Sequence, residues 1–142
     1  MVLKAKEIMH TDFLSLEGDF TAFEAAKKMV EARRGYAIIL EQGVPVGIVT
    51  EWDFLEKVVN RKVDPQAIKI SELMSSPLAS CDKETPTEEV VEMMVKRGIR
   101  RLVVTDKERV VGVITSKDIL NIFKKYVDEI SSIVARFSAT PF

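Results

Sequence analysis

Two short stretches carry the side chains best placed to do chemistry. Residues 47–53 read GIVTEWD and residues 112–118 read GVITSKD. Each supplies a Thr and, three residues on, an Asp: Thr50 with Asp53, and Thr115 with Asp118. At the start of a helix this spacing makes a capping box, in which the hydroxyl and the carboxylate satisfy backbone N–H groups. The same geometry can seat a sugar phosphate. A helix N-terminus offers unpaired N–H groups and a partial positive charge. A Thr hydroxyl beside it can bond a phosphate or sugar oxygen. A carboxylate one turn on can accept two hydrogen bonds from a vicinal diol. Both stretches keep Thr and Asp while the residues between them change freely, Glu51-Trp52 against Ser116-Lys117.

The elements that must position these turns are themselves duplicated. Shifted by 65 residues, the chain aligns with itself without a gap from Lys4 to Val58. Ser15 falls on Ser80, Glu24 on Glu89, Met29-Val30 on Met94-Val95, and Val46-Gly47 on Val111-Gly112. Apolar character is kept at Ile8/Leu73, Ile38/Val103, Ile39/Val104 and Phe54/Ile119. Internal repetition of this length means two copies of one unit. Each copy predicts an amphipathic start (5–9; 70–74), a short strand (13–16; 78–81) and a helix with apolar residues at helical spacing. In copy two, Thr85-Pro86-Thr87-Glu88 predicts an N-cap Thr, Pro at the first helical position and Glu at the third. In copy one Thr21 or Asp19 takes the cap. Gly35 and Gly98 are expected to close these helices, although the shift sets Gly98 opposite Arg33. Two strands joined by polar turns at 41–43 and 106–108 follow, and a last helix begins after Thr50 and Thr115.

The fold class is therefore α+β (mixed α/β), with each unit β-α-β-β-α. A unit of about 60 residues buries too little surface to stand comfortably alone. The Ile- and Val-rich sheet faces are expected to pack together about a pseudo-twofold axis, bringing both Thr-x-x-Asp turns to one seam. The expected divisions are a first unit at 1–62, a linker at 63–69, a second unit at 70–125 and a helical extension at 126–142.

An apolar-rich helix, a hairpin and then Gly-h-h-Thr-x-x-Asp, in tandem, resembles the CBS domain pair, or Bateman module, such as the regulatory pair of IMP dehydrogenases. The resemblance covers the chain to about Phe123. It implies a non-catalytic regulatory module that binds an adenosine nucleotide (AMP, ADP, ATP or S-adenosylmethionine) between the two units, as an energy or metabolite sensor acting on a partner protein in trans. Asp53 and Asp118 would hold ribose hydroxyls, and Thr50 and Thr115 ribose or phosphate oxygens. The strand entries, Phe13, Leu14 and Ser15 with Leu78, Ala79 and Ser80, would meet the base through backbone groups. Arg100 and Arg101 match the family's frequent basic pair before the second strand and would reach phosphates, for which the planar, always-charged guanidinium is suited. Copy one has Gly35-Tyr36 in that place, so the phosphate-binding parts are unevenly shared. The adenine nucleotide would be a regulatory ligand and no cofactor is implied. A homodimer is expected, since such modules commonly form discs of four units.

Other residues narrow the field. His10 is the sole histidine, Cys81 the sole cysteine, and neither has a partner at metal-ligand spacing. His10 is expected in a structural or surface role, and Cys81 as a small buried hydrophobe. Trp52 is expected on the outer helix face. Lys plus Arg total 21 against 22 Asp plus Glu, which argues against an electrostatic nucleic-acid binder. No apolar run approaches bilayer-spanning length, and the first residues lack a signal-peptide core, so a cytoplasmic protein is expected. The competing reading is a ligand-free module for protein–protein or nucleic-acid interaction. Beyond residue 118 an apolar stripe continues through Ile119, Ile122, Phe123, Tyr126, Val127, Ile130, Ile133, Val134 and Phe137. It must pack either on the chain's own first copy or on a second chain.

Overall fold

A computed structural model of the chain describes residues 3–76 and 78–139. The outermost ends of the first unit (1–2) and of the extension (140–142), with residue 77, lie outside the described residues. The element order is α1 (Ala5–Ile8), β1 (Ser15–Glu17), α2 (Ala22–Ala32), β2 (Tyr36–Glu41), β3 (Val44–Thr50), α3 (Glu51–Phe54), β4 (Ser80–Asp82), α4 (Thr87–Arg97), β5 (Arg101–Asp106), β6 (Arg109–Thr115) and α5 (Ser116–Ala139). A π-helical turn, Leu55–Val59, prolongs α3, and a 3-10 turn, Ile70–Glu72, opens the second copy.

The strands form two sheets, β1-β2-β3 and β4-β5-β6, with the first pair parallel and the second antiparallel in each. The repeat extends to irregularities. The register shifts at Ile39/Leu40 in one sheet and at Val104/Thr105, the equivalent position, in the other. Strand residues alternate between two surfaces, as a pleated sheet requires. Ala37, Ile39 and Val49 face the helices of the first unit, and Leu102, Val104 and Ile114 those of the second. On the opposite faces Ile38 and Tyr36 meet Val103 and Val113, with Ile48 and Phe13 packed beside them. Ile38 and Val103 are equivalent, as are Ile48 and Val113, so the sheets meet about a pseudo-twofold axis, as the sequence predicts.

One arrangement was not in the pattern: the amphipathic starts are exchanged. Ala5 and Ile8 complete the core of the second unit, and Ile70 and Leu73 that of the first. Backbone bonds fix the exchange. The Ala5 N–H donates to Thr85 O (2.8 Å), and His10 and Val113 bond each other in both directions (3.0 Å each). Symmetrically, the Ile70 N–H donates to Phe20 O (2.8 Å), and Ser75 and Ile48 bond in both directions (2.8 and 3.1 Å). Neither unit has a finished core without the other copy's first residues.

This crossing explains the Gly of each repeated stretch. A Cβ on Gly47 would lie 2.7 Å from both Met74 Sδ and the Ser75 carbonyl oxygen, and one on Gly112 would meet Met9 and lie 3.0 Å from the His10 carbonyl oxygen. The incoming strand-like segment leaves room for no side chain. Gly47→Ala is expected to destabilise the fold by about 1–3 kcal/mol, the usual cost of overpacking. Urea unfolding of the ligand-free chain would measure it.

Two helix ends differ from expectation. Arg33, not Gly35, closes α2 in the left-handed conformation (φ 54°), as Gly98 closes α4 (φ 61°). The equivalence of Arg33 and Gly98 therefore outweighs the local preference for Gly. Thr85 does not cap α4. Pro86 stands at the cap, Thr87 is the first helical residue, and the Thr87 hydroxyl donates to Leu3 O (2.8 Å), a bond the exchanged start makes available. Thr21 does cap α2, accepting from the Glu24 N–H at 3.1 Å.

The C-terminal stripe does not fold back on the first copy. α5 is one helix of 24 residues, roughly 36 Å long at 1.5 Å per residue. Ile119 and Ile122 at its root join the second core. Every described residue from Phe123 onward is exposed.

Candidate functional site

The two Thr-x-x-Asp turns sit where β3 and β6 pass into α3 and α5, and both are capping boxes. Asp53 Oδ2 accepts from the Thr50 N–H at 2.8 Å and from its hydroxyl at 3.3 Å. Asp118 Oδ2 accepts from the Thr115 N–H at 2.8 Å and from its hydroxyl at 2.9 Å. Beyond this shared geometry the two acids part. Asp53 is buried, and its other oxygen faces Lys57 Nζ at 3.2 Å, one turn along its own helix. The Lys57 ammonium also donates to Leu73 O at 2.7 Å. At the position equivalent to Lys57 the second copy has Ile122. Asp118 is instead met by the exchanged first segment, where His10 Nδ1 lies 2.9 Å from Oδ2.

A polar chain continues from there. His10 Nε2 is hydrogen-bonded to the Tyr36 hydroxyl. The guanidinium of Arg101 lies over the Tyr36 ring, 5.1 Å from its centroid, a cation–π contact. Arg101 Nη2 then reaches Glu51 Oε1 at 3.0 Å, at the first residue of α3. Residues of both copies contribute to this path: Asp118 and Arg101 from the second, His10, Tyr36 and Glu51 from the first. Burial pushes the Tyr36 phenol up to about 12, against the pull of Arg34 and Arg101, so at neutral pH it keeps its proton. Arg34 pairs with Asp12, and that guanidinium holds the Asp12 carboxyl below its usual range.

The remaining predicted residues divide. Arg101 stands on the seam and serves the copy-one side of it, while Arg100 is exposed. Phe13 and Ser15 line a cleft of about 500 Å³ between the copies, with Pro45 and Ile38 on one side and Lys107 and Arg109 on the other. None of the four turn residues lines that cleft. Leu78 packs in the seam. Leu14 and Ala79 turn into the two helix-covered cores. Their carbonyls accept from Ile38 (2.9 Å) and Val103 (3.1 Å), and Ser80 lies in the ladder opposite Val103. Trp52 is exposed on the outer face of α3. Cys81 is buried, which pushes its thiol up to about 11. Among the described residues no group of His, Cys, Asp and Glu could hold a metal ion, and no helix is long and apolar enough to cross a membrane.

His10, Tyr36, Glu51 and Lys57 were missed by the sequence reading. The signal for Tyr36 was its place opposite Arg101. His10, opposite Ser75, left none.

Duplicated capped turns on a β-α-β-β-α repeat, closed sheet to sheet, have known counterparts. The family model for the CBS domain matches this chain twice, over residues 5–60 and 70–125. The chain belongs to the CBS domain family. Among its relatives, an uncharacterised protein of Methanopyrus kandleri is 33% identical over 92% of this chain and 68% of its own length. The CBS domain pair of protein MJ0100, solved with 5′-methylthioadenosine and S-adenosylmethionine, superposes with a TM-score of 0.78 at 27% identity, covering 89% of this chain and 99% of that one. A CBS domain protein of Pyrobaculum aerophilum, solved with AMP, gives a TM-score of 0.74 at 26% identity over 82% of this chain and 89% of that one.

Proposed function

We propose that this CBS pair is a non-catalytic sensor of adenosine nucleotides, which it binds at the seam between its units and reports to a protein partner in trans. The observation that carries the reading is the meeting of Asp118 with His10, Tyr36 and Arg101 of both copies. A ligand seated there would touch both units and favour one mutual arrangement of them, which is what a sensor must do. The adenosine compounds bound by the MJ0100 and Pyrobaculum proteins support the ligand class. Thr115 and Asp118, or Thr50 and Asp53, hold the ribose and adjoining oxygens. Arg101, with Arg100 beside it, takes phosphate. The strand entries, Phe13, Leu14 and Ser15 with Leu78, Ala79 and Ser80, take the base. The working divisions are units at 1–62 and 70–125, a linker at 63–69 and an extension at 126–142. The protein works in the cytoplasm, where one buried thiol is at no risk of pairing.

The chain also pairs with a second copy of itself. Phe123, Tyr126, Ile130, Ile133 and Phe137 repeat at alternating intervals of three and four along an uncovered helix. That is the seam of helices that bury one another. Exposed apolar residues also stand on the units, at the equivalent pairs Val30/Val95 and Leu55/Leu120.

Melting scans with AMP, ADP, ATP, S-adenosylmethionine and GTP test the ligand. The adenosine compounds are expected to raise the melting temperature and to be recovered unchanged, with GTP weaker. The uncovered α5 favours a second reading, a ligand-free interaction module. That reading predicts no shift with any nucleotide.

A further inference from the structure

The polar chain across the seam has a feature that the shared turn does not explain: Asp118 and Arg101, two groups suited to a ligand, are already held by the protein. Asp118, the acceptor for a sugar diol, is held by His10. Arg101, the cation for a phosphate, is held by the carboxylate of Glu51, which stands at the N-terminus of α3 where an anion belongs. Tyr36 joins the two, bonded to His10 and lying beneath Arg101. Among the described residues this chain of contacts exists once. Shifted by the repeat, His10 becomes Ser75, Tyr36 becomes Arg101 and Glu51 becomes Ser116. At Asp53 the closing group is Lys57, within one copy and tied to Leu73 O.

We propose that the ligand-free protein closes its own seat: His10 stands in for the sugar at Asp118, Glu51 stands in for the phosphate at Arg101, and an adenosine phosphate binds by displacing both. The proposal rests on the function inferred above and names three residues, His10, Tyr36 and Glu51, as its latch. A carboxylate only accepts, so His10 Nδ1 carries a hydrogen toward Asp118, while Nε2 and the Tyr36 hydroxyl share the second bond. Displacement frees Tyr36 and Arg101 together, because the guanidinium is positioned over that ring. Loss of the latch therefore breaks the chain of side chains that links α5's root to the start of α3, which belong to different units.

Calorimetric titration of the full chain with AMP and with adenosine tests this. His10→Ser, which installs the residue of the equivalent position, is expected to tighten both ligands about tenfold, the scale of a hydrogen bond to a charged group. Glu51→Gln, at a pair whose Glu side chain is 64% exposed, is expected to tighten AMP by roughly two- to fivefold, the range of exposed ion pairs. Adenosine, lacking phosphate, should not respond to Glu51→Gln. Wild-type binding with His10→Ser no tighter, or weaker, overturns the latch and leaves the sensor standing. Absence of binding in every variant overturns the sensor itself. Nitrogen NMR of the ligand-free wild type gives a second arm that needs no variant, because His10 is the only histidine. A hydrogen on Nδ1 is expected before ligand is added, with the Nδ1 signal changing on AMP addition. The Nε2–H tautomer before ligand is added would refute the proposal.

Discussion

Asp118→Ala is expected to abolish most of the thermal stabilisation that AMP confers. At ligand near 100 times Kd, binding to the native state adds about 2.7 kcal/mol. For a chain of this size that is a rise on the order of ten degrees, at roughly 3–4 °C per kcal/mol. Removing the carboxylate forfeits hydrogen bonds to a charged acceptor, about 1.5–3 kcal/mol. At an unchanged ligand concentration the remaining shift should be a degree or a few. The substitution has a second effect that must be separated. Asp118 also caps α5 through the Thr115 N–H, and loss of a cap costs about 1 kcal/mol without ligand. The ligand-free melting temperature therefore falls as well. The quantity that decides is the difference between scans with and without AMP. Asp118→Asn, which keeps an oxygen in reach of the Thr115 N–H but no charge, should recover most of the ligand-free stability and not the shift. A full AMP shift in both Asp53→Ala and Asp118→Ala would reduce the two turns to helix caps.

Much of this architecture was legible because the chain states it twice. The common register of Ile38 with Val103 and Ile39 with Val104 gave both faces of both sheets before any coordinates. The exchange of the first segments was not legible. Their apolar spacing requires that Ala5 and Ile8, or Ile70 and Leu73, be buried, but two nearly identical cores offer the same welcome to either segment. The seat was legible only where the copies agree. Repetition drew attention to Thr50, Asp53, Thr115 and Asp118, and it passed over His10, Tyr36 and Glu51 because their counterparts are Ser75, Arg101 and Ser116. A contact such as His10 to Asp118, 108 residues apart, leaves no local period. What distinguishes one seat from the other lies where the repeat breaks.

The break is largest at the C-terminus, and it carries the other large expected effect. Ile130→Lys with Ile133→Lys should convert a self-associated protein into single chains of 16.0 kDa, read by light scattering on a sizing column. Burying a large apolar side chain stabilises by about 1.5–3 kcal/mol. The double substitution removes two from each helix of a pair, so the gross loss is about 6–12 kcal/mol, comparable with the roughly 8 kcal/mol that holds a micromolar dimer. The units should remain folded, because both side chains are exposed on the single chain and belong to neither core. The far end of α5 should lose helicity on dissociation, since a helix with nothing against its apolar face is marginal in water. Circular dichroism would then show a smaller helical signal and a surviving cooperative melt of the units at high dilution. A wild type that is a single chain at every concentration would assign the stripe to a different protein. Loss of the cooperative melt in the double variant would place α5 inside the fold rather than at its edge.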